Sequence, residues 1–559
     1  MDRAIADKVR NPRLEGWILA HSSLLAVLLL LLGFGVRLWI ASGTFFNVDE
    51  AQHFLAANQP SLAAAYRASL ELAHPPLLIL VLYYWRDLGS SDFVLRLPSV
   101  IAGTVFCWLT WKWLTRIFGR RPGWIGFLLV AFLPPLIGLS AEVRQYALLL
   151  CFVAASAVCL EQALSENSAR KMFLYAIFLC LAMVSHYSAP LFAGAIGLYS
   201  AMRLLRGRFA ARLVASWIAA EASALGLLGF LYRVQISPLK DSEMAEVAKQ
   251  TWMRNSYFQP GHDNPLLFLF ARTFGVFQFV FGQNAIGDIA GLVFFAGLVL
   301  LFRRRAFLEH SPVSPRLLAA FLLLPFVLNG ATGLLDIYPY GGTRHSVFLV
   351  MFALGGTSLC LAHWAGKKVA RGVGIALLIV ASCHLFGAPH RPYMLRADQN
   401  RENMARATDA IRQRVPAGAP LFADSQTSFL LRRYMCPEPL MIAATSTPDL
   451  RTFRCAGHRV ITTRREAMVI SAAELLHLSD KIAQEGGLKA GEELWVFQAG
   501  FDVHLAGDLP RAYPEPSSLQ AESFGRNIAL LGIPLAGAAS TSLPGQMERS
   551  DPASVRGAR

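Results

Sequence analysis

Long stretches without a single charge constrain this chain before anything else. Residues 24–35 and 289–302 are two of them. A helix of about 18 or more predominantly apolar residues is long enough to cross a bilayer. Across all 559 residues, 54% are hydrophobic and only 16% charged, with a mean hydropathy of +0.42. Soluble chains carry roughly a quarter of their residues charged. The fold class expected is therefore mainly α, a polytopic transmembrane bundle.

The net charge of +15 and pI near 9.7 would suit a nucleic-acid partner, but position argues otherwise. The basic residues sit in short loops between apolar runs, where retention of Lys and Arg on the cytoplasmic side accounts for them. No basic patch with interleaved aromatics is present, so no nucleic acid is expected as a partner.

The first run, residues 17–40, follows Arg3, Lys8, Arg10 and Arg13. It exceeds the core of about 7–15 residues of a cleaved signal peptide, so it reads as an uncleaved anchor with a cytoplasmic N-terminus. Further spans are expected at 93–114, 124–139, 146–164, 172–185, 188–204, 214–232, 287–302, 316–335, 346–364 and 372–387, about eleven in all. With that count, alternate loops hold the basic residues: Lys112, Arg116, Arg120 and Arg121; Arg170 and Lys171; Arg203, Arg206, Arg208 and Arg212; Arg303, Arg304, Arg305 and Arg316; Lys367, Lys368 and Arg371. The run 266–281 carries Arg272 and Gln278 and is expected to lie at the outer interface, as is the short run 75–85.

This division gives a membrane domain over 1–390, with outer loops at 43–92 and 234–285. A small extracytoplasmic α/β domain is expected over 391–535, and a disordered tail over 536–559, which is rich in Ser, Gly, Pro and Ala. Cys107, Cys151, Cys159, Cys180, Cys360 and Cys383 fall in apolar runs. Cys436 and Cys455 lie in the polar C-terminal part, where an extracytoplasmic location permits a disulfide. No CxxC pair or His/Cys array has zinc spacing.

Polar groups gather at one expected face. Asp49-Glu50 lies just past the first run and His74-Pro75-Pro76 in the same loop. Glu142-x-Arg144-x-Tyr146, His186-Tyr187 and Tyr338-Pro-Tyr340-Gly-Gly-Thr-Arg344-His345 lie at later outer turns. Each has a bland reading: a solvated acidic loop, a helix start at proline, an interfacial ion pair, an aromatic belt. Their convergence tips the balance, because ionisable groups at membrane depth mark sites. Transfer from a lipid phosphate fits them. Arginine offers a permanently charged fork for phosphate, which Arg144 and Arg344 can supply, with His74, His186 or His345 as further donors. Asp49 or Glu50 can take the proton of an acceptor hydroxyl. One base and a cationic clamp imply a single inverting displacement.

At these residues the chain resembles the C-type (GT-C) integral membrane glycosyltransferases, in particular the protein O-mannosyltransferase and lipid A aminoarabinose transferase group. The resemblance covers about residues 17–390 and rests on Asp49-Glu50, His74-Pro75-Pro76, Leu95-Arg96-Leu97-Pro98 and Glu142-x-Arg144-x-Tyr146, in that order. It implies Asp49 as general base with Glu50 beside it in the catalytic pair. It implies that Arg144 and Arg344 handle the donor phosphate; from the residues themselves, His74, Glu142, Tyr146, His186, Tyr187, Tyr340 and His345 are further candidates around the donor phosphate and sugar. No cofactor is required by the sequence. Some relatives bind a divalent metal, for which Glu50 and His262 are weak candidates here.

The implied function is transfer of a sugar from a polyprenyl-phosphate donor to an acceptor hydroxyl, on lipid A or another glycolipid, at the periplasmic face of a bacterial inner membrane. Partners are then the donor, a glycolipid or protein acceptor, and membrane lipid. Two other readings remain: a protein O-glycosyltransferase of the same type, and a transporter or flippase. Transporters place polar groups near the midplane and often show internal repeats. Neither pattern is evident here.

Overall fold

The computed structural model describes residues 17, 20–240, 242–303, 313–366, 368–386, 400–436, 449–464, 469–489, 492–501, 503–512 and 519–535. Arg3, Lys8, Arg10, Arg13, Arg304, Arg305, Lys367, the expected boundary at 390 and the expected tail at 536–559 lie outside them. The chain divides into two compact units, the first ending at Asn403 and the second beginning at Met404.

The first unit is mainly helical, and its principal helices are α1 (Ser22–Gly43), α2 (Val48–Ala57), α3 (Leu62–Leu70), α4 (Leu77–Trp85), α5 (Asp92–Phe118), α6 (Arg120–Phe132), α7 (Pro134–Ser140), α8 (Tyr146–Glu166), α9 (Ala169–Met183), α10 (Ala189–Arg206), α11 (Ala211–Leu231), α12 (Pro265–Phe281), α13 (Asn284–Phe302), α14 (Pro315–Leu334), α15 (Val350–Ala365) and α16 (Val369–Leu385). Each expected span coincides with a helix, except 124–139, which falls on the two helices α6 and α7. The count of eleven spans is nonetheless not confirmed. Among the described residues seven helices are long and apolar enough to cross a membrane, and the bent pair α6–α7 would make an eighth.

The shortfall has simple causes. At 1.5 Å per residue, α9 with 15 residues and α16 with 17 fall short of the roughly 30 Å of hydrocarbon. The 18-residue α10 only just reaches the length of a span of about 18 residues, and its glycines, serine and two terminal arginines dilute its apolar character.

Helices at the rim leave their apolar side chains outward: Leu24, Leu28, Leu31 and Leu32 of α1 are all more than half exposed. In contrast, α8 and α15 are buried along most of their length. Such an inverted surface is stable only against lipid.

One buried cation shows how the fold tolerates its own breaks. Pro134 and Pro135 have no N–H, so the carbonyls of Val130 and Ala131 lose their helical partners and α6 meets α7 at a 60° bend. Arg37 of α1, 1% exposed, supplies the missing donors. Its guanidinium reaches Ala131 O at 2.9 Å, Gly33 O at 3.0 Å and Val130 O at 3.4 Å.

The second unit follows on from α17 (Arg401–Arg414). It contains β1 (Pro420–Ala423), α18 (Ser425–Met435), β2 (Leu450–Cys455), β3 (His458–Thr463), α19 (Ala472–Gly486), β4 (Glu493–Ala499), α20 (Leu505–Ala512), β5 (Gln520–Ser523) and β6 (Ile528–Pro534). The sheet order is β2-β3-β1-β4-β6-β5, with β1 parallel to β3 and β4 and the remaining pairs antiparallel. Phe422, Ile461, Val496 and Leu531 from four strands pack with Leu475 and Ile482 of α19. Cys436 and Cys455 form a disulfide with Cα atoms 5.4 Å apart. The expected small α/β fold is present.

Candidate functional site

The site is built from short segments between the long helices. Asn47 starts α2 with a reciprocal cap: its side chain accepts from Glu50 N–H at 2.9 Å, while Glu50 Oε2 accepts from Asn47 N–H at 2.9 Å. Glu50 is fully buried and its other contacts are equally fixed. Arg96 of α5 donates Nε–H to Oε1 and Nη2–H to Oε2, both at 2.8 Å, and Val143 N–H donates to Oε1 at 2.8 Å. Arg96 also holds the carbonyls of Ala41, Thr44 and Phe45 at 2.8–3.0 Å. One ion pair thus locks the end of α1, the start of α2 and the 141–145 turn together.

That lock turns Asp49 outward on the same helix. Its Oδ2 lies 2.9 Å from Arg144 Nη1 and 3.4 Å from Arg344 Nη1, and its side chain keeps 28% exposure. Burial alone would raise its carboxyl, but the Arg144 and Arg344 guanidiniums outweigh burial and hold it below the usual carboxylate range.

Glu142 is the opposite case. Arg344 Nη1 stands 3.6 Å from its Oε2, an oxygen that accepts no hydrogen bond. Burial pushes it up to about 7, with Glu50 adding to the rise against the pull of Arg344. Glu142 and Arg144, two residues apart, therefore serve different partners. Arg144 goes to Asp49, and its Nη2 donates to Tyr146 Oη at 3.1 Å and to His74 Nε2 at 3.4 Å.

Four imidazoles close around this pair. His74 lies 5.9 Å from His53, 5.4 Å from His186 and 6.5 Å from His345, ring centre to ring centre, and Tyr146 is 5.3 Å from His186. Burial, then the neighbouring guanidinium of Arg144, keeps His53 and His74 neutral, His53 at about 4. Burial also lowers His186, followed by His345 and Arg144.

Partners fix three tautomers. His53 Nδ1–H donates to Asp49 O at 2.6 Å, leaving its Nε2 as an acceptor. His74 Nε2 accepts from Arg144, so its Nδ1 carries hydrogen, and that atom has no partner. His186 Nδ1 accepts from Ser188 N–H at 3.2 Å, so its Nε2 is the donor. The lining is therefore two cations, two carboxyls and a ring of neutral donors and acceptors. That set can hold an anion and hydroxyl groups at once.

Residues 73–232, which include much of this cluster, match the family described as dolichyl-phosphate-mannose-protein mannosyltransferase. That span holds His74, Glu142, Arg144, Tyr146, His186 and Tyr187. Among solved structures, ArnT from Cupriavidus metallidurans in the apo state is similar at a TM-score of 0.50 and 13% identity, over 91% of this chain and 98% of that one. ArnT from the same organism bound to undecaprenyl phosphate gives a TM-score of 0.50 and 13% identity, over 95% and 99%. No curated protein matches the chain. The chain has the C-type glycosyltransferase fold.

Within this fold, Asp49, His74, Glu142, Arg144, Tyr146, His186, Arg344 and His345 come together. Tyr187 is half-buried, with no partner for its hydroxyl. Tyr340 turns to α12 instead, where its hydroxyl meets Thr273 Oγ1 at 2.5 Å and its ring packs on Gly330. Tyr338, its neighbour but one, is the tyrosine near His345, at 6.3 Å.

Glu50 and His262 do not fit a metal: the oxygens of Glu50 are taken by four N–H groups, and His262 is exposed. Among the described residues no group of three or more His, Cys, Asp or Glu is placed to hold a metal ion.

Sequence reasoning passed over His53. It stands four residues after Asp49, one helical turn on, a spacing that brings its ring back to the Asp49 carbonyl. Arg96 entered only through the family motif. Its position opening an apolar helix, opposite an acidic pair, was the signal for a buried partner.

Proposed function

We propose that this chain is an inverting glycosyltransferase that moves a sugar from a polyprenyl-phosphate donor to an acceptor hydroxyl, with Asp49 as the base. The observation that carries the reading is the meeting of two guanidiniums, from the separate segments 141–145 and 344–349, at a single partly exposed carboxylate oxygen. Arg144 and Arg344 would take the donor phosphate, whose departure with the anomeric C–O bond pair needs charge neutralisation more than protonation.

A base held low by two arginines is weak at rest. Donor phosphate competing for those arginines restores the basicity of Asp49, so it becomes an effective proton acceptor once the donor is bound. His186 Nε2–H and His74 Nδ1–H are the donors suited to phosphate or sugar oxygens. Glu50 acts through position, by fixing the helix that presents Asp49.

The undecaprenyl phosphate bound by the Cupriavidus protein supports a polyprenyl carrier. A glycolipid acceptor such as lipid A is the first reading. The family description names a protein acceptor, which keeps protein O-glycosylation as the second. The Cys436–Cys455 disulfide supports an oxidising, extracytoplasmic side for the second unit, which we read as the periplasmic face of a bacterial inner membrane.

The test uses purified protein, undecaprenyl-phosphate-linked labelled sugars and lipid A or peptide acceptors, with Asp49→Asn alongside. Loss of a general base costs about 10²–10⁴-fold in rate, so the variant should transfer at no more than a hundredth of the wild-type rate while retaining donor binding. Equal transfer by both proteins removes Asp49 from the role.

A further inference from the structure

The His74-Pro75-Pro76 run poses a backbone problem that the first outer loop does not solve by itself. Neither proline can donate a backbone hydrogen bond, and the Leu77 N–H that could close a turn onto His74 O goes to Val184 O instead, so the His74 carbonyl needs a donor from elsewhere. The partner comes from a distant helix. Gln235, 1% exposed, donates its Nε2 hydrogens to His74 O at 2.9 Å and to Ser69 O at 3.0 Å.

Both acceptors are carbonyls, which fixes the orientation of the amide: Nε2 faces the loop. Its Oε1 is buried without a partner. Gln235 sits in a five-residue π turn, Tyr232–Ile236, at the end of α11. A π turn inserts a residue into a helix and rotates the residues beyond it, and such turns recur at functional sites. On the far side of the prolines, Leu77 N–H donates to Val184 O at 3.1 Å, two residues before His186. The loop is therefore pinned from α11 and from the end of α9.

We propose that Gln235 is a positioning residue that holds the His74 imidazole against Arg144 by fixing the backbone of the proline run. The inference rests on the reading that His74 and Arg144 face the donor phosphate. The His74–Arg144 contact is long, at 3.4 Å, and depends on where the loop sets the ring. An isosteric glutamate at 235 would place acceptors against two carbonyls. Methionine would keep the volume and offer no donor.

The probe is undecaprenyl phosphate itself, titrated against the full chain in detergent. Gln235→Met and Gln235→Glu should each weaken its binding about tenfold, as should His74→Asn, within the range that loss of a buried hydrogen bond spans. In the His74→Asn background, Gln235→Met should add less than about twofold, because the residue acts through His74. Hydrogen exchange of peptides covering residues 69–80 should rise in Gln235→Met and Gln235→Glu while the rest of the bundle stays protected.

Unchanged exchange in that loop, or a full tenfold penalty added on top of His74→Asn, overturns the positioning role. Unchanged binding in His74→Asn combined with raised loop exchange in the Gln235 variants would remove His74 from the phosphate instead. It would leave Gln235 as the holder of the loop.

Discussion

Replacing Arg96 with methionine should destabilise the first unit severely, and the size of the effect comes from what its guanidinium holds. Arg96 makes five hydrogen bonds of 2.8–3.0 Å: two to Glu50 and one each to Ala41, Thr44 and Phe45 carbonyls. Both side chains of the pair are at 0% exposure. Removing one partner of a buried ion pair costs about 3–5 kcal/mol, because the other charge stays behind without water or counter-ion. Glu50 would keep its Asn47 and Val143 donors. That retention sets the expectation at the lower end, about 3 kcal/mol.

Removing both partners is a different perturbation. Glu50→Met with Arg96→Met leaves no buried charge, so the double variant should recover most of the loss. The assay is the unfolding free energy in mixed micelles titrated with a denaturing detergent, followed by tryptophan fluorescence. Arg96→Met within about 1 kcal/mol of wild type would refute the lock, as would a double variant as unstable as Arg96→Met alone. In either case Glu50 would need a role other than holding α2 in place.

Other contacts carry three more expected outcomes. Glu142, pushed up to about 7, carries a proton below that pH and leaves the cluster one charge more positive. Between about pH 8 and about pH 7, above the ligand's own second ionisation at about 6, undecaprenyl phosphate binding should therefore strengthen as pH falls, and Glu142→Gln should remove that part of the dependence. The same shift has a stability sign. The folded state holds a proton that the unfolded chain releases near the ordinary glutamate value of 4.5, so this contribution is present below 4.5 and is lost as pH rises through about 7. Arg37→Met withdraws the donors from the Val130 and Ala131 carbonyls and should cost about 1–3 kcal/mol in the same unfolding assay. Cys436→Ser opens a bridge spanning 19 residues and should lower the stability of the second unit by about 3 kcal/mol, read as a lower thermal midpoint reproduced in wild type by reductant.

Hydropathy made the helices legible, because a bilayer demands uninterrupted apolar length and the chain supplies it in blocks such as residues 24–35. It could not show where a helix begins and ends. α9 and α16 read as spans because their sequences are apolar, and only their lengths show the shortfall. The site's membership was visible as polar residues gathered at one expected face. Its pairings were not. Glu142 and Arg144 look like partners in sequence, yet a turn at 141–145 sends one to Arg344 and the other to Asp49. Asp49 and Glu50 look equivalent, yet a helix separates successive side chains by about 100°. Glu50 is directed to Arg96, and Asp49 to the two arginines of the cluster. Tyr338 and Tyr340 fall out the same way, one beside His345 and one on Thr273.

The same separation explains why an acidic pair suits the proposed reaction. A base beside a phosphate clamp faces a conflict: the cations that hold the donor also suppress the base. With both carboxylates on the clamp, the arginines would be neutralised and phosphate would gain nothing by entering. With neither, α2 would lose the pair that fixes it. Assigning Glu50 wholly to Arg96 leaves Arg144 and Arg344 opposite Asp49 and a Glu142 that is half protonated near neutral pH. The cluster is then between neutral and one unit positive before an anion arrives. Phosphate entry uses that surplus and loosens the hold on Asp49 in the same step. On this reading the donor must bind before the acceptor can be deprotonated, so an acceptor hydroxyl meeting the empty enzyme finds no competent base.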